Sequence, residues 1–154
     1  MTESNDMTYT VLRPVAFFEN LAPGFFGKVF ATCFETALKG KPLQLIATRD
    51  IGFFAAQAFL HPQEYANRSI SLAGDELTYE QFRQIFKQKT GQELQTTYRF
   101  IAGLLLWLVK DLGFMFKWFH DAGYGADIAE LRKTHPQLQD FGAWLEKESQ
   151  FAKR

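Results

Sequence analysis

Few residues in this chain have types and spacing suited to chemistry. Phe17, Phe18, Glu19 and Asn20 come directly after a strand-like run, in YTVLRPVAFFENL, Tyr9 to Leu21. Open parallel sheets hold their ligands outside the carboxyl ends of strands, which is where two aromatics, a carboxylate and an amide stand here. Phe17 offers a face to pack on a flat ring, and the Asn20 amide both donates and accepts hydrogen bonds. The same residues also allow a plainer role, with Asn20 capping the next turn and the phenylalanines filling the core.

Other chemistries find less support. A dinucleotide pyrophosphate needs a glycine-rich turn between a strand and a helix. No G-x-G-x-x-G follows a strand, GFFGKVF has the wrong spacing for a P-loop, and GYG near Gly123 has no strand before it. His61, His120 and His135 are scattered, no His or Cys pair has ligand spacing, and each His is expected in a solvated or capping role rather than at a metal. Cys33 falls on the apolar stripe of a helix, the setting of an inert buried thiol. None of Tyr9, Tyr65, Tyr79, Tyr98 and Tyr124 has a lysine four residues on, so a Tyr-Lys proton relay on one helix face is absent and no catalytic residue is assigned.

Composition narrows the class. The chain has 154 residues, enough for one domain with a core, and 47% of them are hydrophobic, which argues against wholesale disorder. Seventeen basic residues balance 17 acidic ones, so an electrostatic nucleic-acid surface is not expected. Aromatics reach 16%, with 17 Phe, and point first to core packing and second to an apolar groove or interface. A single cysteine excludes a disulfide within the chain and suggests a reducing compartment, which would leave the NRS acceptor at Asn67 idle. With no signal peptide at the N-terminus, the expected location is the cytoplasm, with the nucleus as a second site. FIAGLLLWLV, Phe100 to Val109, is about half of the ~20 residues that span a bilayer and runs into Lys110 and Asp111, so it reads as a buried helix.

The elements that position these residues follow from periodicity and caps. Residues 1–8 read as a flexible N-terminus, 9–150 as the domain and 151–154 as a tail. TYTVL is a strand, with Pro14 at its end or at N1 of the next helix. A helix from Phe25 buries Phe26, Val29, Phe30, Cys33, Phe34 and Ala37, and Gly40 ends it. PLQLIAT is a second strand, and Thr48 or Asp50 caps a helix running to about Leu60. HPQEYANRS is a loop and SISLAG a third strand. LTYEQFRQIFKQKTG is a helix with a Thr78–Gln81 capping box, a Leu77–Phe82 staple, a buried Phe82, Ile85 and Phe86 stripe, and a stop at Gly91. ELQTTYR reads as a fourth strand. Phe100 to Phe119 reads as one helix, buried on more than one side, with Leu104, Leu105, Leu108, Leu112, Met115 and Phe119 on one face. Helices at Asp127–Lys133 and about Asp140–Glu148 close the chain. Strands alternating with helices indicate α/β with parallel pairing, and three or four strands fall short of a complete doubly wound sheet.

Four separated segments carry a family resemblance: YTVLRPVAFFENL, IATRDIGFFAAQAFL, SISLAGDELTYEQFRQIF and YGADIAELRKTHPQ followed by FGAWLEKES. Their order and spacing resemble the C-terminal half of NmrA-like proteins, atypical relatives of the short-chain dehydrogenases and reductases. The resemblance implies the C-terminal part of an NAD(P)-binding Rossmann-like fold, with a small mainly helical subdomain over the nicotinamide end and the N-terminal nucleotide-binding half missing. It implies NADP(H) as cofactor, with Phe17, Phe18, Glu19 and Asn20 lying against it, and Asp50 to Gly52 as a structural turn at a helix start. A full member would carry roughly another 130–150 residues ahead of Tyr9, holding the glycine-rich loop; without them weak cofactor binding is expected.

Three functions follow as expectations. The first is a truncated NADP(H)-linked redox-sensing or regulatory protein without independent catalysis. The second is part of an NAD(P)H-dependent oxidoreductase of the short-chain type, completed by a missing half. The third is a protein-interaction domain. The partners expected are a protein or a second copy, with no nucleic acid, membrane or metal.

Overall fold

The computed structural model describes residues 7–152, so the readings of residues 1–6 as flexible and of 153–154 as tail lie outside the described residues. Among the described residues, five strands and eight helices are formed: β1 (Thr10–Pro14), β2 (Ala16–Phe17), α1 (Phe25–Leu38), β3 (Leu43–Ile46), α2 (Thr48–Leu60), α3 (Pro62–Tyr65), β4 (Arg68–Leu72), β5 (Asp75–Leu77), α4 (Tyr79–Thr90), α5 (Arg99–Leu108), α6 (Lys110–Asp121), α7 (Ile128–Thr134) and α8 (Phe141–Lys147). A single 3-10 turn, Phe18–Asn20, follows β2.

One run of chain serves two sheets. β1 pairs parallel with β4, Thr10 opposite Arg68 and Pro14 opposite Leu72. Pro14 closes this ladder, and the next donor, Val15 N–H, reaches Leu72 O at 3.1 Å. The chain then changes sheets: β2 pairs parallel with β3, and β3 pairs antiparallel with β5. The expected parallel pairing therefore holds for two ladders and fails at β5, which pairs antiparallel with β3 after the chain leaves β4 through Ala73–Gly74.

β3 is buried along its whole length, as its apolar run requires. Its one polar side chain, Gln44, is satisfied: Nε2 donates to Ala126 O at 3.0 Å and Oε1 accepts from Ala126 N at 2.9 Å. Two apolar clusters flank the strands. One gathers Phe18, Phe34, Phe82 and Phe141 with the inner faces of α1, α4, α5, α6 and α8. The other gathers Val15, Ile46, Phe54 and Leu72 with α7.

α4 forms as its sequence dictates. Thr78 Oγ1 accepts from Gln81 N, the Gln81 side chain accepts from Thr78 N, and Gly91 ends the helix at φ 73°. Leu77 and Phe82 are both buried in the first cluster. α1 also forms over the expected span, but Phe26 is exposed, and inward-facing Gly27 lies so close to Ala22 O that a Cβ would stand 1.9 Å from it.

Further expectations change. Glu93–Arg99 forms no strand, and Arg99 already starts α5; Thr97 N–H instead donates to Thr32 Oγ1 on α1 at 2.9 Å, which pins the segment to a helix rather than to a ladder. The Phe100–Phe119 helix is two helices, broken at Val109 with φ −98° and ψ 85°. Gly113 makes the corner possible, since a Cβ there would meet Leu106 O at 2.4 Å. The break resets the faces: Ala102, Phe116 and Phe119 are buried, whereas Leu104, Leu108 and Met115 are exposed. Finally, the packed domain reaches past residue 150, as Phe151 sets its ring edge-on to Phe86 at 5.0 Å.

Candidate functional site

The segment after β1 divides its side chains between core and surface. Phe18 has no exposed surface, and its ring lies 5.5 Å from that of Phe141 and 5.6 Å from that of Trp144. Leu21 is buried beside it, and its N–H closes the 3-10 turn on Phe18 O at 2.9 Å. Phe17 and Asn20 point outward: Phe17 is 36% exposed and Asn20 is exposed as well. The alternation follows from β2, whose Ala16 is buried, and from the tight turn after it. α1 starts at Gly24 without a side-chain cap, so Asn20 does not cap it.

Glu19 does a structural task at a distance. Its Oε1 accepts from Thr48 N at 2.9 Å and from Thr48 Oγ1 at 2.8 Å. The first turn of α2 thus receives its acceptor, and a negative charge at its positive end, from another element. This corrects the expectation that Thr48 or Asp50 is the cap; the N-cap position is Ala47, with no side-chain cap bond. The second oxygen, Oε2, is sealed from solvent with no hydrogen-bond partner among the described residues.

Asp50, freed from capping, reaches the C-terminal segment. Its Oδ1 lies 3.0 Å from His135 Nε2 and its Oδ2 accepts from Gln139 N at 3.0 Å. The His135 ring stacks on Phe53 with centroids 3.8 Å apart. His135 is therefore buried and bonded rather than solvated; of the solvated or capping role expected of it, the structure shows the C-cap of α7, with its backbone N–H donating to Leu131 O at 2.8 Å. Sequence reasoning missed this pairing because its members lie 85 residues apart; no local signal marks it. Asp50 acts as a tie between α2 and the turn before α8, consistent with the structural role expected of Asp50 to Gly52. A cavity of about 560 Å³ opens beside it, lined by Arg49, Phe53, Gln137 and Lys147. Residues 17–20 line neither this cavity nor the smaller one, about 210 Å³, that begins at Leu21.

Cys33 is fully buried, and burial pushes its thiol up to about 11, so no thiolate forms near neutral pH. Burial likewise raises Asp75, although backbone N–H groups of Phe141 and Glu76 donate to its carboxylate and oppose the effect. His61, His120 and His135 do not come together, and no metal-holding group of His, Cys, Asp or Glu is found among the described residues. No helix among them is long and apolar enough to cross a membrane.

Comparison with known proteins places this architecture. The crystal structure of a nucleoside-diphosphate-sugar epimerase from Staphylococcus aureus matches it with a TM-score of 0.66 at 15% sequence identity, a likeness of fold. The match covers 92% of this chain and 53% of the epimerase, so the chain spans about half of that protein's length. No curated protein matches the sequence significantly. The model of the NmrA-like family matches residues 2–145, nearly the whole sequence. The chain belongs to the NmrA-like family.

Proposed function

We propose that this chain is the nicotinamide-side portion of an NADP(H)-binding fold and that it senses redox state in a regulatory role rather than catalysing alone. The observation that carries the reading is the division of labour in Phe17–Asn20. Phe18 and Glu19 fix the turn, one through the core and one through α2, and leave Phe17 and Asn20 free beyond the carboxyl end of β1. In this reading Phe17 packs on the nicotinamide ring and Asn20 offers a donor and an acceptor to its polar substituents. Phe18 and Glu19 position that surface without touching the cofactor.

The sheet supports the same reading. β1 and β4 form a two-stranded parallel pair, with no strand on either outer edge among the described residues. Parallel strands belong to larger, covered sheets, and bare edges invite pairing. A glycine-rich half, continuous with this chain or carried by another polypeptide, would extend the sheet from one of these edges and bind the pyrophosphate. The completed protein could then be an NAD(P)H-dependent oxidoreductase, its reacting groups supplied by that half; this is the second reading, favoured by the same open edges.

NADPH titration calorimetry tests the proposal. Residues 1–154 alone are expected to bind no tighter than ~1 mM, because the helix-terminus contacts to the pyrophosphate are lacking. Micromolar binding by this chain would refute it. Reading the DNA upstream for an in-frame glycine-rich segment separates the two readings.

A further inference from the structure

Helices α5 and α6 are apolar on both faces. Their inner faces pack on α1 through Ala102, Phe116 and Phe119. Their outer faces repeat the helical spacing, with Phe100, Leu104, Trp107 and Leu108 on α5 and Phe114, Met115 and Trp118 on α6. Phe100, Trp107 and Phe114 are 71%, 74% and 67% exposed. With whole aromatic side chains offering ~150–250 Å², the patch presents on the order of 800 Å² of apolar surface. A typical monomer's largest patch is ~300–600 Å², whereas a stable dimer buries about 800 Å² on each partner.

We infer that this face is a homodimer interface, with the α5–α6 pair of one copy packed on the same pair of a second copy to form a four-helix layer. The area matches what a two-fold, self-complementary contact needs. The charges fit a second copy too. Lys110 and Asp111 sit side by side at the exposed corner, Lys117 pairs with Asp121, Arg99 pairs with Glu35, and the chain's formal net charge is zero. A balanced rim can meet its own copy without repulsion. A bilayer surface would call instead for a Lys/Arg-rich flank, which this face lacks. Nor does the glycine-rich half compete for the same place. β1 and β4 lie against the cluster of Ile46, Phe54 and Leu72, while α5 and α6 belong to the cluster of Phe34 and Phe82. The inference therefore stands independently of the cofactor.

Size-exclusion chromatography with light scattering on the purified chain tests it. The expected mass at micromolar concentration is twice the 17.7 kDa of one chain. Trp107→Glu combined with Phe114→Glu is expected to weaken association roughly tenfold or more, with the circular dichroism spectrum unchanged. If that variant unfolds, Leu104→Lys alone carries the same expectation. A monomeric parent chain overturns the inference. So does a dimer indifferent to these changes, or a monomer that floats with phosphatidylcholine–phosphatidylserine vesicles, which would assign the face to lipid.

Discussion

Glu19 and Thr48 lie 29 residues apart in sequence, and one carboxylate oxygen joins them: Glu19 Oε1 accepts both the backbone N–H and the hydroxyl of Thr48. The contact fixes the turn that carries Phe17 and Asn20 to the start of α2. It also separates holding from touching within a segment that sequence alone treats as one site.

Removing this cap costs stability. Glu19→Ala is expected to destabilise the chain by about 1 kcal/mol, the usual loss when a helix N-terminus gives up its side-chain acceptor. Glu19→Gln keeps an oxygen for Thr48 and is expected to cost less. Urea midpoints check both; an unchanged midpoint for Glu19→Ala would remove the capping role.

Local signals carried the sequence reading further than distant ones. The capping box of α4 and its terminal Gly91 lie within 14 residues, and the helix forms where they put it. The pattern over α5 and α6 reads as one helix because the apolar residues run on both sides of Val109, and the glycine that admits the corner, Gly113, stands four residues past the break. Nearness in sequence points to Thr48 or Asp50 as the cap of α2, while the acceptor comes from Glu19. Within the candidate site, the strand end at Pro14 was legible. That Phe18 faces in and Phe17 out depends on Phe141 and Trp144, more than 120 residues away, which no local pattern reveals.

The tie between α2 and the C-terminal turn is a second stability point. Asp50→Ala leaves His135 Nε2 and Gln139 N–H without their acceptor in a buried place. The expected loss is about 3 kcal/mol. His135→Ala combined with Asp50→Ala should cost clearly less than the sum of the two single changes, because one interaction is removed twice. Additive losses by chemical denaturation would show that the two residues act separately.

Cys33 gives a pH signature. Its thiol is raised from 9.0 to about 11 by burial, so the unfolded chain ionises first. The stabilisation is fully present below pH 9 and is lost as pH rises from 9 toward 11. Tyr79 and Tyr124, also raised by burial, add loss in the same direction. The parent chain minus Cys33→Ala isolates the thiol. The difference in urea midpoint is expected to be flat below pH 9 and to fall above it; a flat difference throughout would contradict a buried, protonated thiol.

The central claim is that Phe17 and Asn20 meet the nicotinamide only when a glycine-rich half completes the sheet. The most direct measurement is an NADPH titration of this chain by itself and of the same residues joined to, or mixed with, that half. The account predicts no saturable binding in the first case, micromolar binding in the second, and a loss of roughly tenfold when Phe17→Ala and Asn20→Ala are introduced together into the completed protein. Tight binding by the chain alone, or a completed protein indifferent to both substitutions, would contradict it.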